Sequence, residues 1–229
     1  MAEYQAPLRD IRFVLNEVFE ADKLWQSLPG LEGAVDAETA DAMLEEAGKI
    51  TSQTIAPLNR NGDEQGAVWN DGQVTTPDGF REAYATYAAG GWVGLGGNPE
   101  FGGMGMPKTL GVQVEEMLYG ANSSFALYIA LTAGSPAWRE IVFRMSREEV
   151  KQRSLPNMFA GNWAGTMCVT EPHAGTDLGI IRTRAVPEAD GSYSVTGTKI
   201  FITGGEHDLT ENIIHLGSAI LLTFFFFYL

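Results

Sequence analysis

Cysteine is almost missing from this chain: Cys168 is the only one in 229 residues. A lone cysteine excludes an intramolecular disulfide framework and suits a reducing compartment. Basic side chains are also scarce, 15 against 29 acidic ones, for a formal net charge of −14. That balance argues against a nucleic-acid surface, which needs clustered Lys and Arg, and equally against docking on anionic lipid. The three histidines, His173, His207 and His215, are scattered, with no His-Glu-x-x-His and no paired cysteines, so no metal centre is expected. No Gly-x-Ser-x-Gly elbow exists to seat a hydrolase serine. The N-terminus, Met1-Ala2-Glu3-Tyr4, lacks a basic region followed by an apolar run, so no signal peptide is read and a cytoplasmic location is the default expectation.

What is present is ordinary globular composition, 45% hydrophobic and 19% charged, with enough residues to bury a sizeable core in one or two domains. Over 7–28, Ile11, Val14, Leu15, Val18, Phe19 and Leu24 recur at three- and four-residue spacing and predict one amphipathic helix closed by Pro29-Gly30. A second helix is expected over 37–56, with Ala40, Met43, Leu44, Ala47, Ile50 and Thr54 inward and Pro57 as its stop. Residues 59–76 are polar and read as a loop. Thr76-Pro77 reads as an N-cap followed by proline at the first helical position, opening a helix through Phe80, Ala83, Tyr84 and Tyr87.

The glycine-rich stretch 91–107 invites a dinucleotide fingerprint, but Pro99 stands where the third glycine belongs and no strand precedes it, so that reading fails. Helical pattern resumes over 109–119, 123–131 and 137–145, and Ser146-Arg147-Glu148-Glu149 caps a short helix ending near Pro156. After Gly161 the period changes. Segments 163–170, 181–186, 193–195, 199–203 and 212–216 are β-branched or aromatic, and Asp190-Gly191 between two of them is a hairpin signal. The expected architecture is α+β: an all-α helical domain over 1–160, then an incomplete antiparallel β domain over 161–216. The stretch 217–229, ending in four phenylalanines, Tyr228 and Leu229, is an anomalous apolar tail, short of the roughly 20 apolar residues a membrane helix needs. It reads as a truncated or out-of-frame end, with a membrane anchor as the other reading.

Two stretches carry chemistry. Met167-Cys168-Val169-Thr170-Glu171-Pro172-His173-Ala174-Gly175-Thr176-Asp177 runs from a strand into a hydroxyl-rich turn able to aim backbone N–H groups at a polar heterocycle or anion. Gly197-Thr198-Lys199-Ile200-Phe201-Ile202-Thr203-Gly204-Gly205 reads as a strand stopped by a turn. In this order they resemble the flavin motifs of the acyl-CoA dehydrogenases, and Pro99-Glu100-Phe101-Gly102-Gly103-Met104-Gly105 is similar to a loop of that family's N-terminal domain. The resemblance covers nearly everything up to Leu216 and is nearest the longer bacterial branch that includes methylthiopropionyl-CoA dehydrogenases.

That resemblance implies FAD, an acyl-CoA substrate, α,β-dehydrogenation of its thioester, an electron-transferring flavoprotein as acceptor, and a homo-oligomer in the full-length protein. It implies that Met167, Cys168, Val169 and Thr170 lie along the flavin, Thr170 near the N5/O4 side. Phe201 takes the place of a ring-packing aromatic, usually Trp, whose indole donor it lacks, and Thr203 that of a hydroxyl donor. Gly175, Thr176 and Ile202 complete the cofactor set, and Thr176 also stands where the pantetheine portion of the substrate is contacted. The bland readings stay open beside these. Phe201 reads equally as a core aromatic, Thr170 and Thr176 as turn residues bonding their own backbone, Cys168 as a small strand residue, and His173 as a turn residue rather than a base. No catalytic base is assigned, because the family places its glutamate beyond position 216 and Glu171 belongs to the flavin motif. The chain is thus expected to be an inactive fragment of such a dehydrogenase. The alternatives are a fragment of an acyl-CoA oxidase, or a non-enzymatic helical module tethered by its apolar C-terminus.

Overall fold

The computed structural model describes residues 3–129 and 147–221. The expected helix over 137–145, Ser146 and residues 222–229 of the tail lie outside the described residues.

The first helix is broken where a single one was expected. α1 (Leu8–Arg12) passes into a π-helical turn, Phe13–Val18, closed by Phe19 N–H on the Val14 carbonyl at 3.1 Å. The chain then kinks at Glu20, φ 44°, before α2 (Ala21–Ser27). A π turn closes one residue later than an α turn, so the original spacing no longer holds one face inward. Ile11, Leu15 and Trp25 are buried, whereas Val18, Phe19 and Leu24 are exposed. α3 (Ala37–Ile50) starts on Asp36, which accepts from Thr39 N–H at 2.7 Å, and buries Ala40, Leu44 and Ala47 as expected. A second π turn, Thr51–Ile55, and a 3-10 turn around Pro57 follow.

Polar residues 59–76 are not a loop. They form α4 (Asn59–Gln65) and a hairpin of β1 (Val68–Asn70) with β2 (Gln73–Thr75). α4 is held by tertiary approach rather than propensity: a Cβ on Gly62 would lie 2.8 Å from the Phe80 ring and 2.6 Å from Ser124 Oγ. The hairpin turns on Asp71 (φ 47°) and Gly72 (φ 85°), the pair of positive φ values that a two-residue hairpin turn requires.

α5 (Phe80–Ala89) buries Phe80, Ala83, Tyr84 and Tyr87 but starts after Gly79, not at Thr76. Thr76 is drawn away to Asp208 Oδ1, to which its N–H and hydroxyl donate at 3.0 and 2.7 Å. α6 (Lys108–Ala121) and α7 (Ser123–Ala126) meet at buried Asn122, whose side chain accepts from Phe125 N–H at 3.0 Å. α8 (Glu148–Phe159) runs on through Pro156 instead of ending there. Leu155, Met158 and Phe159 are its anchor, packed with Phe101 against Trp163, Ile214 and Leu216.

The small sheets are mixed. β4 (Arg184–Pro187) and β5 (Tyr193–Thr196) form the antiparallel hairpin expected around Asp190-Gly191. β3 (Trp163–Cys168) instead pairs in parallel with β6 (Asn212–Gly217), Thr166 opposite His215, and β4 pairs in parallel with β7 (Ile220–Leu221). Antiparallel pairing throughout is therefore corrected, and Gly217, Ile220 and Leu221 of the supposed tail belong to strands. Segment 199–203 is no strand: Phe201 sits at φ 57°, a left-handed backbone that ends a ladder. One face of β3–β6 carries Trp163, Ile214 and Leu216 onto α8, while the other seats Ala164 and Ile213 in a core with Phe80, Tyr84 and Phe125. Among the described residues no helix is long and apolar enough to cross a membrane.

Candidate functional site

β3 carries Met167 and Cys168 to its end, and Val169 and Thr170 follow outside the ladder. The chain then closes a four-residue turn, Glu171 N–H donating to the Ala174 carbonyl at 2.9 Å and Ala174 N–H returning to Glu171 at 3.0 Å. Pro172 suits this turn because its fixed φ matches the second position. The turn throws the Glu171 side chain inward, where the residue keeps 3% of its exposure.

Glu171 is fully engaged there. It accepts from Lys199 Nζ at 2.8 Å, from Arg182 N–H at 2.7 Å and from Thr183 N–H at 3.0 Å. His173 Nε2, which donates to the Ile180 carbonyl at 3.0 Å, lies 3.5 Å from its second oxygen. Burial alone would raise this carboxyl. Hydrogen bonds from Lys199, Thr183 and Arg182 outweigh that and hold it well below the usual carboxylate range. A carboxylate so tied is a poor proton acceptor near neutral pH. Glu171 is structural chemistry, not a base.

Lys199 spends its three N–H bonds on three partners: Glu171, the Val169 carbonyl at 3.0 Å and Ser218 Oγ at 3.2 Å. Beside it, Ile200 N–H donates to the Thr170 carbonyl at 2.9 Å, and Ser218 N–H to the Cys168 carbonyl at 3.2 Å. Gly197 permits this approach, since a Cβ there would fall 2.1 Å from Thr183 Oγ1. The two sequence stretches, 30 residues apart at the Lys199–Val169 bond, are in this way brought side by side.

The positions singled out from sequence fall into two groups. Val169, Thr170, Cys168 and Ile202 are half-buried at or beside the junction. Met167 (59%) and Phe201 (87%) are strongly exposed, and Thr176, Thr203 and Gly175 are exposed too. Phe201 is therefore no core aromatic. Gly175 and Thr176 lie past the Glu171–Ala174 turn, and among the described residues no hydrogen bond joins them to Phe201 or Thr203. Asp177 then caps a 3-10 turn, Leu178–Ile180, through Gly179 N–H at 2.9 Å. Cys168 shares a face of β3–β6 with Thr166 and His215, Thr166 Oγ1 and His215 Nδ1 being 2.6 Å apart and Sγ 3.9 Å from that nitrogen. Among the described residues no group of His, Cys, Asp and Glu is placed to hold a metal ion.

Sequence reasoning missed Lys199 as the partner of Glu171 and Ser218 as a partner of Lys199. Lys199 was visible inside its motif, a lysine flanked by β-branched and apolar residues. Ser218, in a stretch with no polar alternation, offered no signal.

The described residues suit a flat heterocycle with one polar edge. Phe201 and Met167 present exposed apolar surface, Thr203 and Thr176 exposed hydroxyls, and the junction backbone is rigidly held. The chain is similar to known proteins in sequence and in fold. The family model of the acyl-CoA dehydrogenase N-terminal domain matches residues 37–162. A 3-methylmercaptopropionyl-CoA dehydrogenase of Ruegeria pomeroyi is 41% identical over 215 residues, 93% of this chain and 35% of that protein. A glutaryl-CoA dehydrogenase from Mycobacterium smegmatis has a TM-score of 0.65 at 23% identity, over 86% of this chain and 46% of that one. An acyl-CoA dehydrogenase from Bacillus anthracis, solved in complex with FAD, has a TM-score of 0.64 at 19% identity, over 81% of this chain and 30% of that one. The two structural likenesses bear on fold alone. The chain spans 35% of the length of the first curated relatives it matches.

Proposed function

This chain belongs to the acyl-CoA dehydrogenase family, and on that footing we propose that it is the N-terminal portion, with part of the flavin-binding middle portion, of an FAD-dependent acyl-CoA dehydrogenase. The observation that carries the reading is the junction at Lys199, which sets the strand end Met167–Thr170 against the segment Phe201–Thr203. FAD, when bound, supplies the acceptor for the hydride leaving the acyl β carbon. The chain's own part is to bind and orient. Met167 and Phe201 would offer apolar surface to the ring system, Val169 and Thr170 would hold its polar edge, and Thr203 would offer a hydroxyl, with Gly175, Cys168 and Ile202 completing the set. Thr176, exposed past the turn, would contact the thioester-linked arm of an acyl-CoA. The domain division at 160 and 216, an electron-transferring flavoprotein as acceptor, a homo-oligomeric whole and a cytoplasmic location are parts of the same proposal. The substrate reading leans on the Ruegeria relative, a dehydrogenase of 3-methylmercaptopropionyl-CoA.

Proton removal is not supplied by the residues at this junction. Glu171 is held ionised by Lys199 and two backbone N–H groups, so it cannot cycle as a base. A large cofactor held by one wall forfeits most of the buried area on which tight binding depends. The 229-residue chain is therefore expected to purify colourless, to bind added FAD only weakly, and to reduce no dye acceptor with any acyl-CoA. A yellow protein with stoichiometric FAD, or turnover by it, would overturn the fragment reading. An acyl-CoA oxidase is the near alternative, and assaying the complete reading frame with oxygen against an electron-transferring flavoprotein separates the two.

A further inference from the structure

The hydrogen bonds of Lys199 and Glu171 converge on one arrangement. The Lys199 ammonium is buried with its side chain at 10% exposure, and the Glu171 carboxylate at 2%. Two such groups in low-dielectric surroundings carry a desolvation penalty that a hydrophobic pair would avoid, so general stability is a weak reason for them. Their partners are not scattered. Lys199 takes the Val169 carbonyl, one residue before Thr170, and Ser218 Oγ, whose own N–H holds the Cys168 carbonyl. Glu171 takes the N–H groups of Arg182 and Thr183, and Thr183 in turn accepts Ile220 N–H at 2.8 Å and abuts Gly197. Four separate segments, 168–171, 182–183, 197–200 and 218–220, are thus tied by one ion pair. A directional pair of this kind specifies register where an apolar contact would allow sliding.

We propose that Glu171 and Lys199 are positioning residues, a buried clamp that holds the strand end 167–170 and the segment 200–203 in fixed register so that both present to one ligand, the flavin of the proposed function. The inference rests on that reading for its ligand, but the clamp itself is a property of this chain. Neither side chain touches the cofactor. Each acts through the backbone of the residues that do: Lys199 through Val169 and Glu171 through the turn that follows Thr170. Ile200 N–H on the Thr170 carbonyl is the hydrogen bond the clamp protects.

The experiment uses the full chain and two variants, Lys199→Met and the double variant Glu171→Gln/Lys199→Met. The double variant leaves no unpaired buried charge, so it separates loss of register from simple burial of an orphan carboxylate. Amide hydrogen exchange at 168–171 and 200–203 is followed beside exchange in α5 and α6, with the thermal midpoint as control, and FAD is titrated by quenching of its fluorescence. In the double variant those amides should exchange faster by about tenfold or more while α5, α6 and the midpoint change little, and FAD affinity should fall by about tenfold. Unchanged local exchange in the double variant would overturn the clamp. Acceleration everywhere, in step with a lowered midpoint, would also overturn it and leave the pair a general stabiliser. Faster local exchange with unaltered FAD affinity would refute the positioning role toward flavin. Tight, stoichiometric FAD binding by the unmodified chain would instead overturn the fragment reading of the proposed function, and the exchange arm would still decide the clamp.

Discussion

Gly103 offers the sharpest test of how the helical part is locked. Residues 94–106 fold back on themselves: Met104 N–H donates to the Gly94 carbonyl at 3.0 Å, Gly105 N–H to Gly97 at 2.8 Å and Met106 N–H to Leu95 at 2.9 Å. At the crossing, a Cβ on Gly103 would stand 2.2 Å from the Gly97 carbonyl carbon and 2.4 Å from its oxygen. Those obstacles are backbone, and Gly97 is itself closely packed, a Cβ there falling 2.6 Å from the Phe159 ring and 3.1 Å from Gly103 Cα. Gly103→Ala must therefore open the crossing. Overpacking costs about 1–3 kcal/mol, and up to three backbone hydrogen bonds at about 1 kcal/mol each are put at risk. We expect a loss of about 3–5 kcal/mol, a fall in the midpoint on the order of 10 °C for a chain of this size. Two other glycines calibrate the result. Gly102→Ala meets no atom but must hold φ 87°, so it should lose about 1–2 kcal/mol. Gly111→Ala meets no atom, lies inside α6, and should gain about 1 kcal/mol from helix propensity. Urea unfolding followed by tryptophan fluorescence, with five tryptophans in the chain, gives all three values. If Gly103→Ala is no worse than Gly102→Ala, the backbone crossing does not carry the cost assigned to it.

Three further outcomes are expected. Tyr84→Phe removes the hydroxyl that donates to the buried Gly161 carbonyl at 2.8 Å, and leaving that acceptor unpaired should lower stability by about 1–3 kcal/mol in denaturant melts. Phe201→Ala should leave the midpoint nearly unchanged, within about 0.5 kcal/mol, because the ring is 87% exposed, yet FAD titration should show weaker binding; a large drop in midpoint would mean the ring is packed after all. Stability should fall in acid by two steps of the same sign. Burial depresses His207 below its ordinary 6.5, so its contribution is full above that value and declines as pH falls toward the lowered one. Glu171, held below its ordinary 4.5, contributes fully above 4.5 and loses that contribution as pH falls further. Midpoints measured across pH should show both, and His207→Gln should flatten only the upper step.

Much of this protein was determined by local sequence. Periodicity set the buried faces of α3, α5 and α6, because apolar residues at three- and four-residue spacing leave a helix one way to bury them. Asp190-Gly191 set the β4–β5 hairpin, and Asp71-Gly72 carried the same signal for β1–β2 inside what reads as a polar loop. The two flavin-like stretches were legible as residue strings. What they do together was not, since it depends on which groups meet after folding. Thr76 has every mark of an N-cap, yet Asp208, 132 residues away, competes for both of its donors and wins. Residues 199–203 have strand composition, but Lys199 reaching for Glu171 and Ser218, with Ile200 bonded to Thr170, pulls the backbone out of any ladder and leaves Phe201 left-handed and exposed. Pro156 reads as a helix stop, but the apolar partners of Leu155, Met158 and Phe159 carry α8 past it. Propensity is a fraction of a kilocalorie per residue for most side chains, whereas a buried carboxylate or a packed aromatic is several times that, about 1–3 kcal/mol. Where the two disagreed, tertiary structure decided.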